Sequence, residues 1–352
     1  MSRGVDESAV AGLTVLNAHG RACVHPAAAV EWLHDIEAEL RETVLSNGAV
    51  LLRDLPIHDV PSFATLSSAL VRQPFRPAEV FATRADLGSA VLSQMRWPAE
   101  RELCSHQELS FASRFPGLLL LTCVRPATTG GETVLSDARR LTRHLPPALL
   151  DRMWSGGWQM VRTFRDGFGM SWQEAFGVSD TAALAAALNA ADVSHEWLPD
   201  DSLRTLRQRP ALIRHPVTGA ICWFNQAGFL NEGSMDARER DVLRAAFGAD
   251  LPVNTFHGDG TPLAAEELLA IERAYDSTAV MVSWRPGDLL ILDNVLTAHG
   301  RRPYTGTRQV LLTMAEPVRL RDCPPARPTA APSTEATGRD PVHHPRGATD
   351  HG

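Results

Sequence analysis

The apolar residues of this chain come in short blocks, each fenced by proline or glycine. Gly117-Leu-Leu-Leu-Leu-Thr-Cys-Val124 lies between Pro116 and Pro126. Asp288-Leu-Leu-Ile-Leu292 follows Pro286-Gly287, and Gln309–Ala315 follows Gly306. Blocks of this length read as core strands and are far too short to cross a bilayer. Further strands are predicted at 48–53, 133–135, 220–225 and 278–284. Helical spacing appears at 28–45, where Val30, Leu33, Ile36, Leu40 and Val44 share one face, and ends at Asn47-Gly48. Other helices are predicted at 61–71, 180–191, 236–247 and 262–275. Strands and helices do not alternate strictly, which disfavours a doubly wound parallel sheet. The pattern predicts a mainly β chain: an antiparallel sandwich or jelly roll decorated by N-terminal and inserted helices.

Composition bounds the partners. With 44% apolar and 21% charged residues, the chain can bury a sizeable core. A net charge of −7 argues against a dominant nucleic-acid footprint. No segment reads as a membrane span, and MSRGVDESAV lacks the basic-then-apolar run of a secretory signal. Five cysteines, at 23, 104, 123, 222 and 323, form no close pairs. That argues against a disulfide framework or zinc ribbon and points to a reducing cytoplasm. The 352 residues allow two domains; the expectation here is one domain over 1–322. From Cys323 to Gly352 the chain turns to Pro, Ala, Thr, Ser, Gly and charge, so 323–352 is expected to be a disordered tail. His343–His344 falls in it.

The chemistry concentrates in Cys104-Ser-His-Gln-Glu-Leu-Ser-Phe111. On an extended segment His106 and Glu108 project to one side, so an imidazole and a carboxylate can meet one metal ion. A third ligand must come from elsewhere. His299, in Asp293-Asn-Val-Leu-Thr-Ala-His-Gly-Arg301, follows a core strand and is the best candidate. Two histidines and one carboxylate on one face leave open positions, as in non-haem Fe(II) oxygenases. Thr133 follows a Gly-Gly turn and offers a hydroxyl to an anionic cosubstrate. Arg308 enters the last strand, and a guanidinium grips a carboxylate with two parallel hydrogen bonds. Asp288 and the Asp293–Asn294 pair bracket the strand before His299, as turn-forming and ligand-supporting residues would.

SHQELSF, FPGLLLLTCVRPATTGGET and WRPGDLLILDNVLTAHGRRPYTGTRQVLLTM together resemble the Fe(II)/2-oxoglutarate-dependent dioxygenases of the TauD/TfdA type. The His-x-Glu is similar to the clavaminate synthase-like branch, where it replaces the commoner His-x-Asp. Cys222-Trp-Phe-Asn-Gln-Ala227 and Phe256-His-Gly-Asp-Gly-Thr261 resemble the syringomycin-type amino-acid β-hydroxylases of nonribosomal peptide pathways. The resemblance spans roughly 47–317.

This resemblance implies a double-stranded β-helix core. It carries iron onto His106, Glu108 and His299, and 2-oxoglutarate onto Thr133 and Arg308. Family members often show two arginines at the start of the last strand, whereas Gln309 follows Arg308 here. The implied reaction consumes O2 and 2-oxoglutarate, releases succinate and CO2, and hydroxylates an unactivated carbon. The implied substrate is an amino acid, free or tethered to a peptidyl carrier protein. Desaturation and ring closure share the chemistry. Related halogenases replace the carboxylate ligand with a small residue, but Glu108 stands here.

Other readings remain open at this point. The same triad could hold Zn²⁺ for hydrolysis, or the fold could be a binding protein with a degenerate site. His257-Gly-Asp259 has suitable residue types but lies in a Gly-rich turn. His195 and Glu196 point to opposite faces of a strand. His144 and His215 read as loop residues near prolines. For substrate contact, Gln107, Phe111, Asn225, Gln226 and Arg301 lie on or beside the motifs. Arg301 serves either a substrate carboxylate or nearby backbone carbonyls. Trp154, Trp158, Trp172 and Phe176 line a lid or, as aromatics more often do, pack inside.

Overall fold

The structure, a computed structural model, describes residues 13–327. It is a mixed α/β fold with a multi-stranded antiparallel core decorated by helices. The largest sheet has six strands in the order Thr14–Asn17, Ala49–Arg53, Leu289–Asp293, Arg114–Arg125, Gln309–Arg319, Val91–Ser93. Only its first pair is parallel. A second, antiparallel sheet orders Ala279–Val282, Thr133–Asp137, Thr297–Arg301, Leu103–His106. The chain passes repeatedly between these two sheets. Leu103–His106 leads to Arg114–Arg125 and then to Thr133–Asp137, while Leu289–Asp293 leads to Thr297–Arg301 and then to Gln309–Arg319.

Period-two side-chain alternation explains how continuous apolar blocks form strands buried on both faces. Leu119, Leu121 and Cys123 join one core cluster, with Leu290, Leu292, Val310, Leu312 and Met314. Leu118, Leu120 and Val124 face a second cluster, with Leu289, Ile291 and Leu311. Helices Pro26–Asn47 and Val60–Leu70 cover that second face through Leu33, Leu40, Val44, Phe63, Leu66 and Leu70. The large sheet is therefore a plate with helices behind it and the second sheet's cavities in front.

Local signals set the helix ends. Pro26 opens the first helix, where a missing N–H costs nothing. Gly48 closes it at φ +86°, left-handed backbone that glycine adopts without strain. Asp59 and Ser62 cap the second helix reciprocally, with Asp59 Oδ1 2.9 Å from Ser62 N. The remaining helices of ten or more residues span Pro147–Gly156, Thr181–Ala190, Ala237–Phe247 and Ala265–Ser277.

A third sheet is new relative to the sequence reading. Its antiparallel strands run in the order Val253–His257, Trp158–Phe164, Leu203–Arg209, Ser194–Trp197. Arg162, Arg207 and Arg209 are buried on it, at positions where alternation asks for apolar residues. Charge at inward positions hides a strand from a hydrophobicity pattern. Trp158 and Phe176 are buried, Trp172 is half-buried, and exposed Trp154 lies under Arg327.

The expected tail start needs correction. Cys323 is buried, Pro325 bridges Ile213, Ala326 is buried, and Arg327 Nη2 lies 2.7 Å from Asp151 Oδ1. The packed chain thus continues to Arg327, because one thiol and one methyl find apolar company. Positions 328–352, with His343–His344, lie outside the described residues. Cys104, Cys123, Cys222 and Cys323 are free. Among the described residues no helix is long and apolar enough to cross a membrane.

Asp288 is fully buried where the Leu289–Asp293 strand begins. Its Oδ2 accepts from Arg285 N at 2.9 Å, and burial pushes its carboxyl up to about 6. A raised carboxylate pKa gives stability that is present below the unfolded value and lost as pH rises through about 6. Relative to Asp288→Asn, wild type should lose up to about 3 kcal/mol of unfolding free energy between pH 4 and pH 7. Urea denaturation across that range checks this; a constant difference contradicts it.

Candidate metal centre

The centre is built on one cross-strand pair. Leu103–His106 and Thr297–Arg301 run antiparallel, and His106 sits directly opposite His299. Opposite residues project to the same face. The two imidazole centroids are 4.7 Å apart.

Glu108 arrives differently from the extended-segment expectation. The strand ends at His106, and Glu108 begins a turn in which Leu109 has φ +57°. Asn294 fixes that turn. Its Oδ1 accepts from Glu108 N at 2.8 Å, and its Nδ2 donates to Glu108 O and Pro116 O, each at 2.9 Å. Asp293 Oδ1 in turn accepts from Val295 N and Leu296 N. The Asp-Asn pair thus ties both ligand-bearing segments together. Ligand atoms of buried His106, Glu108 and His299 all lie within 4.8 Å of one another.

The protonation states leave the donor atoms available, although Arg84 places a positive charge beside them. His106 Nδ1 is 2.9 Å from Cys104 O, a bond that requires the proton on Nδ1 and leaves Nε2 with its lone pair. Burial holds His106 below the ordinary imidazole range, against the pull of Glu108. Burial, and then the repulsion that a protonated His106 would exert, holds His299 well below it. Both rings are therefore neutral and available as ligands. His299 Nδ1 is buried with no protein partner. Glu108 Oε2 accepts from Arg84 Nη2 at 2.9 Å. Two neutral imidazoles, one carboxylate and an orphaned ring nitrogen fit a divalent metal with open positions.

Two cavities flank the centre. The smaller, about 70 Å³, is lined by Thr133, Arg308, Gln94, Leu121 and Val310 as well as the two histidines. Trp284 Nε1 donates to Thr133 Oγ1 at 3.0 Å, so the hydroxyl proton is left to point elsewhere. Arg308 donates through Nε to Gly131 O and through Nη1 to Gln94 Oε1, leaving Nη2. The larger cavity, about 280 Å³, is lined by Phe81, Leu109, Phe111, Phe229, Met314 and Gln226. Arg84, Met95 and His106 line both.

Thus Thr133 and Arg308 join the triad, and Phe111 reaches the larger cavity. Gln107 and Asn225 line neither. Gln107 Nε2 donates to Trp223 O, and Asn225 Nδ2 donates to Ala211 O. Arg301 lines the smaller cavity, but its Nη2 donates to Pro98 O and Arg101 O, and its guanidinium lies over Tyr304. His257 ends a strand and bonds Glu267 at 2.8 Å, while Asp259 bonds Thr261 and Arg152, so this pair lies apart from the centre. His195 and Glu196 sit on an exposed strand. His215, expected in a loop, is buried with Nε2 3.0 Å from Asp293 Oδ2, where it supports the Asn294 turn. Arg84, Gln94 and Trp284 were not singled out from sequence; only Trp284, beside the quoted Pro-Gly-Asp, carried a local signal.

Known proteins agree with this geometry. The family model described as "Taurine catabolism dioxygenase TauD, TfdA family" matches residues 20–315. Dapdiamide synthesis protein DdaC of Enterobacter agglomerans is 30% identical over 278 residues, covering 79% of this chain and 84% of that protein. A clavaminate synthase-like protein of Arabidopsis thaliana is 25% identical over 295 residues, covering 80% and 84%. Among solved structures, an asparagine oxygenase in complex with Fe(II), 3-hydroxyasparagine and succinate matches with TM-score 0.54 at 15% identity, over 86% of this chain and 93% of that one. PvcB of Pseudomonas aeruginosa matches with TM-score 0.51 at 15% identity, over 88% of each. These last two are likenesses of fold.

Gly300 lies at a register shift beside His299, and a Cβ there would meet Leu103 O at 2.6 Å. Gly300→Ala must push the two ligand strands apart, and Asn294→Ala releases the Glu108 turn. Each should weaken ferrous binding about tenfold or more. Anaerobic competition against a chromophoric chelator reads this; wild-type affinity in both variants contradicts the clamp.

Proposed function

The chain belongs to the TauD/TfdA family of Fe(II)/2-oxoglutarate-dependent dioxygenases, and from that membership we propose that it hydroxylates an unactivated carbon of an amino acid, free or carrier-tethered, in natural-product assembly. The coarser statement stands without the proposal: this is an iron- and 2-oxoglutarate-dependent oxygenase with a 2-His-1-carboxylate triad, acting on a small substrate. The observation that carries the finer reading is a largely apolar cavity of about 280 Å³ against His106 and Glu108, in a chain similar to a dapdiamide synthesis protein. We further propose that the single domain expected over 1–322, carried on to Arg327, closes its two main sheets as a double-stranded β-helix. The alternation of the chain between those sheets supports it. Within the family, the sequence motifs favour the syringomycin-type hydroxylases.

The residues divide the work as follows. His106, Glu108 and His299 would hold the iron. Thr133 would donate its hydroxyl proton, and Arg308 a hydrogen of its free Nη2, to the distal carboxylate of 2-oxoglutarate. Trp284 orients Thr133 by occupying one of its lone pairs. When bound, iron and 2-oxoglutarate would supply the oxidising power, one oxygen of O2 ending in succinate as CO2 leaves and the other entering the substrate C–H bond as hydroxyl. Phe81, Phe111 and Phe229 exclude water from the reacting carbon. Gln226 donates Nε2 to Gln107 O, which frees its Oε1 to accept from a substrate ammonium. Arg84 neutralises Glu108 and faces the substrate side, where it orients an anionic group. Phe111 contacts the substrate, while Gln107 and Asn225 act through the backbone they hold.

Wild-type protein given ferrous iron, 2-oxoglutarate, air and a panel of amino acids and aminoacyl thioesters should form succinate above the uncoupled background. Mass spectrometry should show a product heavier by one oxygen. A mass loss of two hydrogens would assign desaturation or ring closure instead, and zinc-dependent ester or amide cleavage without succinate would assign a hydrolase. Glu108→Ala should abolish turnover. Arg308→Leu should raise the KM for 2-oxoglutarate at least tenfold, with a smaller effect on kcat. An unchanged KM would remove Arg308 from the cosubstrate site.

A further inference from the structure

Besides His106, five ionisable side chains line the larger cavity: Arg76, Glu79, Arg84, Asp86 and Glu108. Three of them are matched away from the metal centre. Arg76 Nη1 lies 2.6 Å from Asp86 Oδ2, and both side chains are exposed. Glu79 is buried between Arg162, at 2.6 Å, and Arg207, at 2.8 Å. Arg84 and Glu108 remain. Their Nη2 and Oε2 are 2.9 Å apart, and their side chains are only 15% and 10% exposed. Arg84 is therefore the half-buried cation of this cavity, and its one partner is a residue of the metal triad.

This pair balances only while Glu108 serves no other cation. With a divalent metal and dianionic 2-oxoglutarate in place, the metal, Arg84, Arg301 and Arg308 outweigh Glu108 and the cosubstrate. Surplus charge in so closed a site is costly unless an anion meets it. Arg84 has donors to offer one. Its Nη2 gives a hydrogen to Glu108, while Nε and Nη1 have no partner among the described residues and stay accessible. Whichever Nη2 hydrogen Glu108 takes, one complete two-pronged edge of the guanidinium is left, with the spacing of a carboxylate's oxygens. Glu108 lines the larger cavity and not the smaller, so it holds this guanidinium on the larger side. Gln226, with Oε1 free to accept, and the rings of Phe81, Phe111 and Phe229 line the same cavity.

We propose that Arg84 seats the carboxylate of the substrate, so that the oxygenase acts on a free amino acid with an apolar side chain rather than on a thioester-tethered one. The assignment rests on the oxygenase function proposed above and narrows its substrate class. A free amino acid gives its carboxylate to Arg84, its ammonium to Gln226 and its apolar side chain to the three rings. A thioester at the same carbon presents a neutral carbonyl, which leaves the free edge of the guanidinium unpaired.

The test uses the full chain, loaded anaerobically with ferrous iron and saturating N-oxalylglycine, an analogue of 2-oxoglutarate that does not turn over. Leucine, methionine and phenylalanine are titrated calorimetrically, each as free acid, primary amide and N-acetylcysteamine thioester. At least one free acid should bind about tenfold or more tighter than its amide and its thioester. Arg84→Gln keeps a donor for Glu108 and should abolish that preference. Arg84→Lys keeps the charge but not the two-pronged edge and should retain only part of it. A purely structural role for Arg84 would weaken acid and amide alike and leave their ratio unmoved. An acid that competes with N-oxalylglycine, equal binding of acid and amide in wild type, or no binding by any acid overturns the proposal. The two assignments fail separately. Succinate formed with thioesters and no acid preference keeps the oxygenase and removes this role of Arg84. An Arg84-dependent acid preference without succinate in air keeps the carboxylate site and removes the hydroxylase.

Discussion

The site depends on one cross-strand pairing, His106 against His299, in the narrow second sheet. Antiparallel register alone points both imidazoles to the same side, before any metal is considered. The carboxylate needs separate machinery, because the strand has ended by Glu108. Asn294 provides it, with three hydrogen bonds from one amide group to the Glu108 turn and to Pro116. His215 and Asp293 stand behind Asn294. The ligands are thus positioned by backbone pairing and one buried side-chain network. Such preorganisation keeps the cost of assembling the site low when metal arrives.

The large sheet gives this pairing a fixed foundation. Its central strands are buried on both faces, and alternate residues serve helices on one side and cavities on the other. Leu121, Val310 and Leu312 are at once core residues and lining of the smaller cavity. Truncating such a residue costs about 2–5 kcal/mol, and here it would also enlarge the smaller cavity. Stability and the shape of the smaller cavity are coupled through the same methyl groups.

Much of this was legible in the sequence, for reasons that can be named. The core strands announced themselves because apolar runs stop at proline and glycine. The triad was legible because His-x-Glu and the Asp-Asn…His segment occur in motifs resembling one family. Asn294 read as a supporting residue from its place after the core strand, and its role is now concrete. Arg84 was not legible: its loop has no regular pattern, and its partner Glu108 is 24 residues away. The third sheet was missed because buried arginines break the alternation that reveals strands. Gln107 and Asn225 adjoin the motifs but spend their amides on backbone carbonyls, a distinction that only three-dimensional contacts reveal. Cys323 looked like the start of a solvated tail because its burial depends on residues far away in sequence.

The central claim is that three side chains from two strands and a turn hold one ferrous ion. Anaerobic titration of the metal-free protein with ferrous iron in the presence of 2-oxoglutarate tests it directly, followed by visible absorption. The account predicts a charge-transfer band that saturates at one iron per chain and is absent in His299→Ala. A wild-type protein that shows no band, or a His299→Ala variant that shows the full band, would contradict it.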